Sequence, residues 1–329
     1  MKHFNHTKKK RQKRMDDKEI KIMVAGIGGV GGYLAVMLSK AYPHVTWLAR
    51  GERKEKLEKE GLILHSELHG DVHAFAKEVK DAAKDSLEVQ DYVFICVKNY
   101  SLKEMCSNLK GAVDEHTIVI PVMNGVDCAD CAGKYLGKGK LVKSLIYIVS
   151  FVAEDGSIIH EGNFADIRIG TEENRKPEWL LKTENLLKRA GISCRIGEDI
   201  EAEIWKKYIL NCAYNVMTAL YDKSIGQLRK EEKTKKQYLT ILQESYTVAR
   251  EKGVQIEESY VEYQYEHFLH RLKDNATSSL QRDIRAGRKS ELDTFGGYLV
   301  REAKRLGMSI PVSEECYEIL LKKEKGENK

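Results

Sequence analysis

Lys207, Asn211 and Asn215 are spaced by four in a stretch with strong helical character, so they fall on one helical face with a drift of about 40° per step. Ile204, Tyr208, Leu210 and Met217 border them. Amides set in apolar surroundings are costly to bury without partners, and a solvent-facing stripe would ordinarily carry Glu and Lys. The pattern therefore reads as the lining of a site in which a lysine could polarise a carbonyl and donate a proton. A second constellation lies near the start of the chain. Gly26-Ile27-Gly28-Gly29-Val30-Gly31 fits GxGxxG and directly follows the short apolar run Ile20 to Ala25. Gly26 permits a tight turn, Gly28 lets a pyrophosphate approach the backbone, and Gly31 lets helix pack on strand.

The elements that must position these residues are legible in the same way. Ile20 to Ala25, Val45 to Ala49, Tyr92 to Val97 and Ile118 to Met123 read as strands, with helices over Tyr33 to Ser39 and Leu102 to Lys110. This alternation predicts an α/β fold, a Rossmann-type doubly wound parallel sheet. Beyond Gly197 strand-like runs cease, and no proline occurs between Pro177 and Pro311, which predicts a second, all-helical domain. Asp199 is placed to cap a helix running to Tyr221. Ser290 with Asp293 resembles a capping box that leaves Glu291 opening a helix, where the dipole favours negative charge. The division expected is a disordered basic tail over 1–19, a cofactor domain over 20–198 and a helical catalytic domain over 199–325.

In an open parallel sheet, ligands lie outside the carboxyl ends of the strands. Arg50, with Arg53 and Lys54 behind it, stands where the second strand ends and suits a ribose 2′-phosphate, which favours NADPH over NADH despite the nearby Glu52. Lys98 and Asn99 end the fourth strand, and Asn124-Gly125 the fifth, placing Asn124 to meet nicotinamide or substrate.

These residues, in this order, resemble the ketopantoate reductase (2-dehydropantoate 2-reductase) family over roughly Ile20 to Lys323. The most specific matches are the glycine turn, Met123-Asn124-Gly125-Val126, Glu203-Ile204-Trp205-Lys206-Lys207 with Asn211-Cys212 and Asn215, and Ser278 to Asp283 through Glu291-Leu292-Asp293. The resemblance implies NADPH-dependent reduction of ketopantoate to pantoate in pantothenate and coenzyme A synthesis. It places the catalytic lysine at Lys207, the essential glutamate at Glu291 and substrate-binding groups at Asn124, Asn211, Asn215 and Ser279. It places cofactor contacts at Gly26 to Gly31, Arg50, Lys98 and Asn124. A family asparagine falls on Ile225, a departure that bears on the substrate.

Bulk properties narrow the remaining classes. The net charge of +5 is more than accounted for by Lys2, Lys8, Lys9, Lys10, Arg11, Lys13 and Arg14, so the body of the chain carries no basic surface that predicts nucleic acid. The tail lacks the apolar core of a signal peptide, and Met15 is an alternative start. The apolar stretch Leu145 to Ala153 falls far short of the roughly 20 residues that span a bilayer, so no membrane partner is expected. Seven cysteines, an odd number, predict a reducing, cytoplasmic setting. Cys128-x-x-Cys131 and the spaced His65, His69 and His73 read as an isolated pair and a hairpin, and no metal is expected. The partner expected is a small 2-oxo acid, acted on by a monomer or homodimer. The alternatives are reduction of a different 2-oxo acid, or a regulator that senses NADP without turnover.

Overall fold

A computed structural model describes residues 19–326. Residues 1–18, which hold the basic cluster and Met15, lie outside the described residues. In chain order the elements are β1 (Ile22–Ala25), α1 (Gly29–Ala41), β2 (Val45–Leu48), α2 (Gly51–Glu60), β3 (Leu62–Ser66), β4 (Gly70–Ala74), β5 (Glu78–Lys80), β6 (Tyr92–Ile95), α3 (Leu102–Asn108), β7 (Ile118–Pro121), α4 (Cys128–Leu136), β8 (Lys140–Leu141), β9 (Lys143–Val152), β10 (Ile158–Gly170), α5 (Glu178–Arg189) and β11 (Ser193–Ile196). Helices follow: α6 (Ile200–Tyr221), α7 (Ile225–Leu228), α8 (Glu232–Glu251), α9 (Tyr260–His270), α10 (Ser279–Arg285), a π-turn over Asp293–Gly297, α11 (Tyr298–Arg305) and α12 (Pro311–Glu324).

The first sheet is parallel throughout, in the order β5-β2-β1-β6-β7-β8. The order reverses direction between β1 and β6, which opens a crevice at their carboxyl ends. Strand alternation divides the side chains between two cores. Ile22 and Val24 join α1 in one, while Met23 and Ala25 join α3 and α4 in the other.

A second sheet, absent from the sequence-based expectation, packs on the far side of α1. Strand β10 pairs with β9 along one edge and with β3 and β11 along the other, while β4 pairs with β3. Helix α1 is thus covered on both sides, and its residues Gly31 to Leu38 are all buried. This explains a helix with almost no polar face. The strands escaped recognition because Ile158 to Gly170 interleaves His160, Glu161, Asn163, Asp166 and Arg168 among its apolar residues, a pattern broken by a bulge.

Helix α6 begins where the sequence places it, with the Asp199 side chain accepting from the Ala202 amide. The capping box expected near Glu291 does not form. Ser290 Oγ accepts from Leu292 N, the Ser290 amide donates to Glu324, and Asp293 turns outward to Arg301, because the chain enters a π-turn instead of a regular helix. His65, His69 and His73 do lie on a hairpin. They pair with Asp71, Tyr33 and the Glu60 carbonyl respectively, and no metal-binding cluster occurs among the described residues. Among the described residues no helix is long and apolar enough to cross a membrane.

Replacing Asp199 by Ala removes the cap of the helix that carries Lys207, and is expected to cost about 1 kcal/mol in urea unfolding, with Asp199→Asn close to wild type.

Candidate active site

The cleft between the sheet and the helices is held by one cation. Lys98, just past the end of β6, donates to Glu291 Oε2 and Asp283 Oδ2, both at 3.1 Å. Burial pulls the Lys98 ammonium down, but the two carboxylates outweigh burial and hold it above its ordinary value. Arg288 completes the charge balance by pairing with Asp283 at 2.9 Å. The sequence places Lys98 against the cofactor, and the structure gives it two carboxylate partners. Asp283 in this role was missed, since a motif match alone does not show which distant charges will meet.

Glu291 has a side chain only 4% exposed and is surrounded by donors. Besides Lys98 it accepts from the Asn99 amide and from Asn124 Nδ2, each at 3.4 Å. Its direct ion-pair partner is Lys98. Asn99 ties the two sides further, donating from Nδ2 to the Asn124 carbonyl and to Thr294 Oγ1, both at 2.8 Å. The π-turn makes the second contact possible, since it brings Thr294 toward the sheet while its carbonyl accepts from buried Tyr208.

Lys207 stands apart from this ion pair. Its Nζ donates to the neutral Asn124 Oδ1 at 3.3 Å and lies 5.9 Å from the centre of the Tyr147 ring. Burial lowers the ammonium to about 8, with Cys128 and Glu291 opposing the fall. Along the same face of α6, Asn215 is 5% exposed, donates to the Asn211 carbonyl at 3.1 Å and accepts from Ser279 Oγ at 3.4 Å. The Asn211 side chain makes no hydrogen bond to other side chains among the described residues. The predicted residues Asn124, Lys207 and Glu291 therefore come together, with Asn211, Asn215 and Ser279 continuing the line.

Ile225 lies elsewhere: fully buried in the helical core, it is rolled inward by the Ser224–Gln227 capping box. The Cys128 thiol lies 3.0 Å from the Asn124 carbonyl, so this half of the cysteine pair supports the site wall. Tyr147 was missed because its strand was not recognised.

At the other end of the cleft, the N-terminus of α1 carries no side-chain cap, and a Cβ on Gly28 would meet nothing within 4 Å. That open backbone is a cradle for an anion. Gly31 is the opposite case, as its Cβ would stand 1.8 Å from the Gly26 carbonyl oxygen. At the end of β2, Arg50 is 83% exposed with only a 4.0 Å approach to Glu104. Arg53 and Lys54, grouped with it on sequence grounds, are engaged by the Gly156 carbonyl and Glu58.

The profile of the family described as "Ketopantoate reductase PanE/ApbA" matches residues 22–174, and that of its C-terminal part matches residues 199–324. The chain belongs to the ketopantoate reductase family. It is an oxidoreductase of that family. It is 30% identical to the uncharacterized oxidoreductase YkpB of Bacillus subtilis (strain 168), over 91% of this chain and 97% of that protein. The solved 2-dehydropantoate 2-reductase of Porphyromonas gingivalis W83 superposes with a TM-score of 0.78 at 26% identity, covering 92% of this chain and 99% of the other. A D-mandelate dehydrogenase solved with NADH and anilino(oxo)acetate shares the fold, with a TM-score of 0.83 at 19% identity and coverage of 94% and 99%.

Gly31→Ala forces a methyl group into a backbone oxygen and should lower stability by more than about 2 kcal/mol in denaturant unfolding, whereas Gly28→Ala should unfold like the wild type.

Proposed function

We propose that the protein reduces 2-dehydropantoate to pantoate with NADPH, with Lys207 as the proton donor. The observation that carries this reading is the pairing of Lys207 with a neutral amide in a site where burial has brought its ammonium to about 8. A lysine locked to a carboxylate, as Lys98 is, would be a poor acid. One poised near neutrality is suited to hydrogen-bond a keto oxygen and then surrender its proton.

The residues at the glycine turn fit a dinucleotide, since the open Gly28 and the uncapped α1 amides suit a pyrophosphate and Arg50 suits a 2′-phosphate. When bound there, reduced nicotinamide supplies hydride to the keto carbon. Lys207 Nζ holds the keto oxygen, stabilises the charge that grows on it and delivers the proton that makes the hydroxyl. The amine left behind regains a proton from solvent. Asn124 holds the lysine through its Oδ1, so the ammonium is aimed without being neutralised. Asn211, Asn215 and Ser279 offer amide and hydroxyl groups to the substrate's carboxylate and hydroxyl. Glu291, paired with Lys98, fixes the other end of the Asn124 side chain.

Lys207→Ala should cut kcat for reduction by about 10²-fold or more while leaving NADPH affinity within about twofold by fluorescence titration. Because the protonated lysine is required, kcat/KM for reduction should fall as pH rises through about 8, and an unchanged rate at high pH would overturn the assignment. Arg50→Ala should raise the KM for NADPH about tenfold and leave that for NADH nearly unchanged, as a charge-assisted phosphate contact is lost from only one of them.

A further inference from the structure

Behind the catalytic wall lies a second cavity, of about 380 Å³, that the proposed reaction does not use. The starts of α3 and α4 border it on one side, and the π-turn, α11 and α12 on the other. Asn99, Glu291 and Thr294 line it, whereas Lys98, Asn124 and Lys207 do not. The partition between the two spaces is therefore the set of contacts that holds Asn124. Asn99 Nδ2 donates to the Asn124 carbonyl and to Thr294 Oγ1, and Glu291 accepts from Asn124 Nδ2. A volume of this size suits a small molecule.

Several charges around the cavity are already matched. Asp293 pairs with Arg301 at 2.6 Å, Glu324 accepts from the Ser290 amide at 2.9 Å, and Glu291 is held by Lys98. Charges of both signs are left over at separate places. Beside α3, Lys289 forms no salt bridge among the described residues, and its Nζ rests 4.4 Å from the centre of the Tyr100 ring. The exposed Lys103 is likewise without a carboxylate there. At the start of α4, Asp127 has no cation among the described residues and accepts from the Cys131 thiol at 3.5 Å. Burial raises its carboxyl above the ordinary value, so a cation brought beside it would be favoured. Tyr135 and Tyr298 line the same space, and their hydroxyls make no hydrogen bond among the described residues. Tyrosine rings also attract ammonium groups. Leu102 and Leu321 add apolar surface.

We propose that this cavity is a second ligand site that takes a small apolar α-amino acid as its zwitterion, the ammonium at Asp127 and the carboxylate at Lys289 and Lys103, and that the bound ligand braces the wall holding Asn124. An occupant that touches both sides ties α3 and α4 to the π-turn, and so favours the arrangement in which Asn99, Glu291 and Asn124 are joined. Its effect on turnover rests on the reading of the chain as a 2-oxo acid reductase, while the binding does not.

Calorimetry on the full-length protein, with and without saturating NADPH, tests the site with L-leucine, L-phenylalanine, N-acetyl-L-leucine, which lacks the ammonium, and L-leucinamide, which lacks the carboxylate. Leucine or phenylalanine is expected to bind whether or not NADPH is present, and leucine about tenfold or more tighter than either of its derivatives. Asp127→Asn and Lys289→Gln should each weaken binding about tenfold, with the melting temperature of the free protein and its NADPH affinity unchanged. Saturating amino acid should raise kcat for 2-dehydropantoate about twofold or more in the wild type and not in Asp127→Asn. No binding of either amino acid, equal binding of a derivative, displacement by NADPH, or binding that survives both substitutions would overturn the proposal, as would an unchanged kcat in an active enzyme with the site filled. A protein that binds the amino acid with these requirements but reduces no 2-oxo acid sustains the site and defeats the reductase reading, so the two failures are distinguishable.

Discussion

The contact of Lys98 with Glu291 and Asp283 is the constraint on which the cleft depends. It joins the carboxyl end of a central strand to the helical region, and both carboxylates it engages are largely withdrawn from water. A carboxylate as enclosed as Glu291 carries a desolvation cost of several kcal/mol that only a close cation and good donors can offset. Lys98, the Asn99 amide and Asn124 Nδ2 together supply them. With Glu291 fixed, Asn124 is held by one side-chain end, and its other end is free to receive Lys207. The pair is therefore a positioning device whose geometry passes through Asn124 to the proposed acid.

Two lysines a short distance apart thus meet opposite electrostatic fates. Burial disfavours the charged form of both, although the Lys98 side chain is still 39% exposed. Lys98 has two carboxylates and is held firmly protonated, while Lys207 has an amide oxygen and drops to about 8. The chemistry proposed for the site follows from that difference in partners. Neither side chain differs from the other in any property the residue type itself carries.

Much of the architecture was open to reading before any coordinates. The first sheet announced itself through short, continuous apolar runs ending in Gly26, Lys98 and Asn124, because strands buried on both faces have no polar alternation to confuse the pattern. Helix α6 was equally clear, from the Asp199 cap to the four-residue spacing of Lys207, Asn211 and Asn215. The second sheet was not legible, since β10 mixes charged residues with apolar ones and its bulge breaks the period of two. With that sheet unseen, Tyr147 on its neighbouring strand β9 could not be assigned to the cleft.

By itself the sequence determined the glycine turn, the strand and helix order and the set of polar residues that could do chemistry, all of which depend on local spacing. Tertiary structure decided how those residues are paired. Lys98 proved to be held by Glu291 and Asp283, at sequence separations of 193 and 185 residues, Lys207 proved to be paired with Asn124, and Ile225 proved to lie in the core. The physical reason is that desolvation and charge pairing are properties of the enclosed site. They are set only when the helical region closes on the strand ends, so the Lys207 first marked by its spacing acquires its proton-donating character from residues far away in the chain.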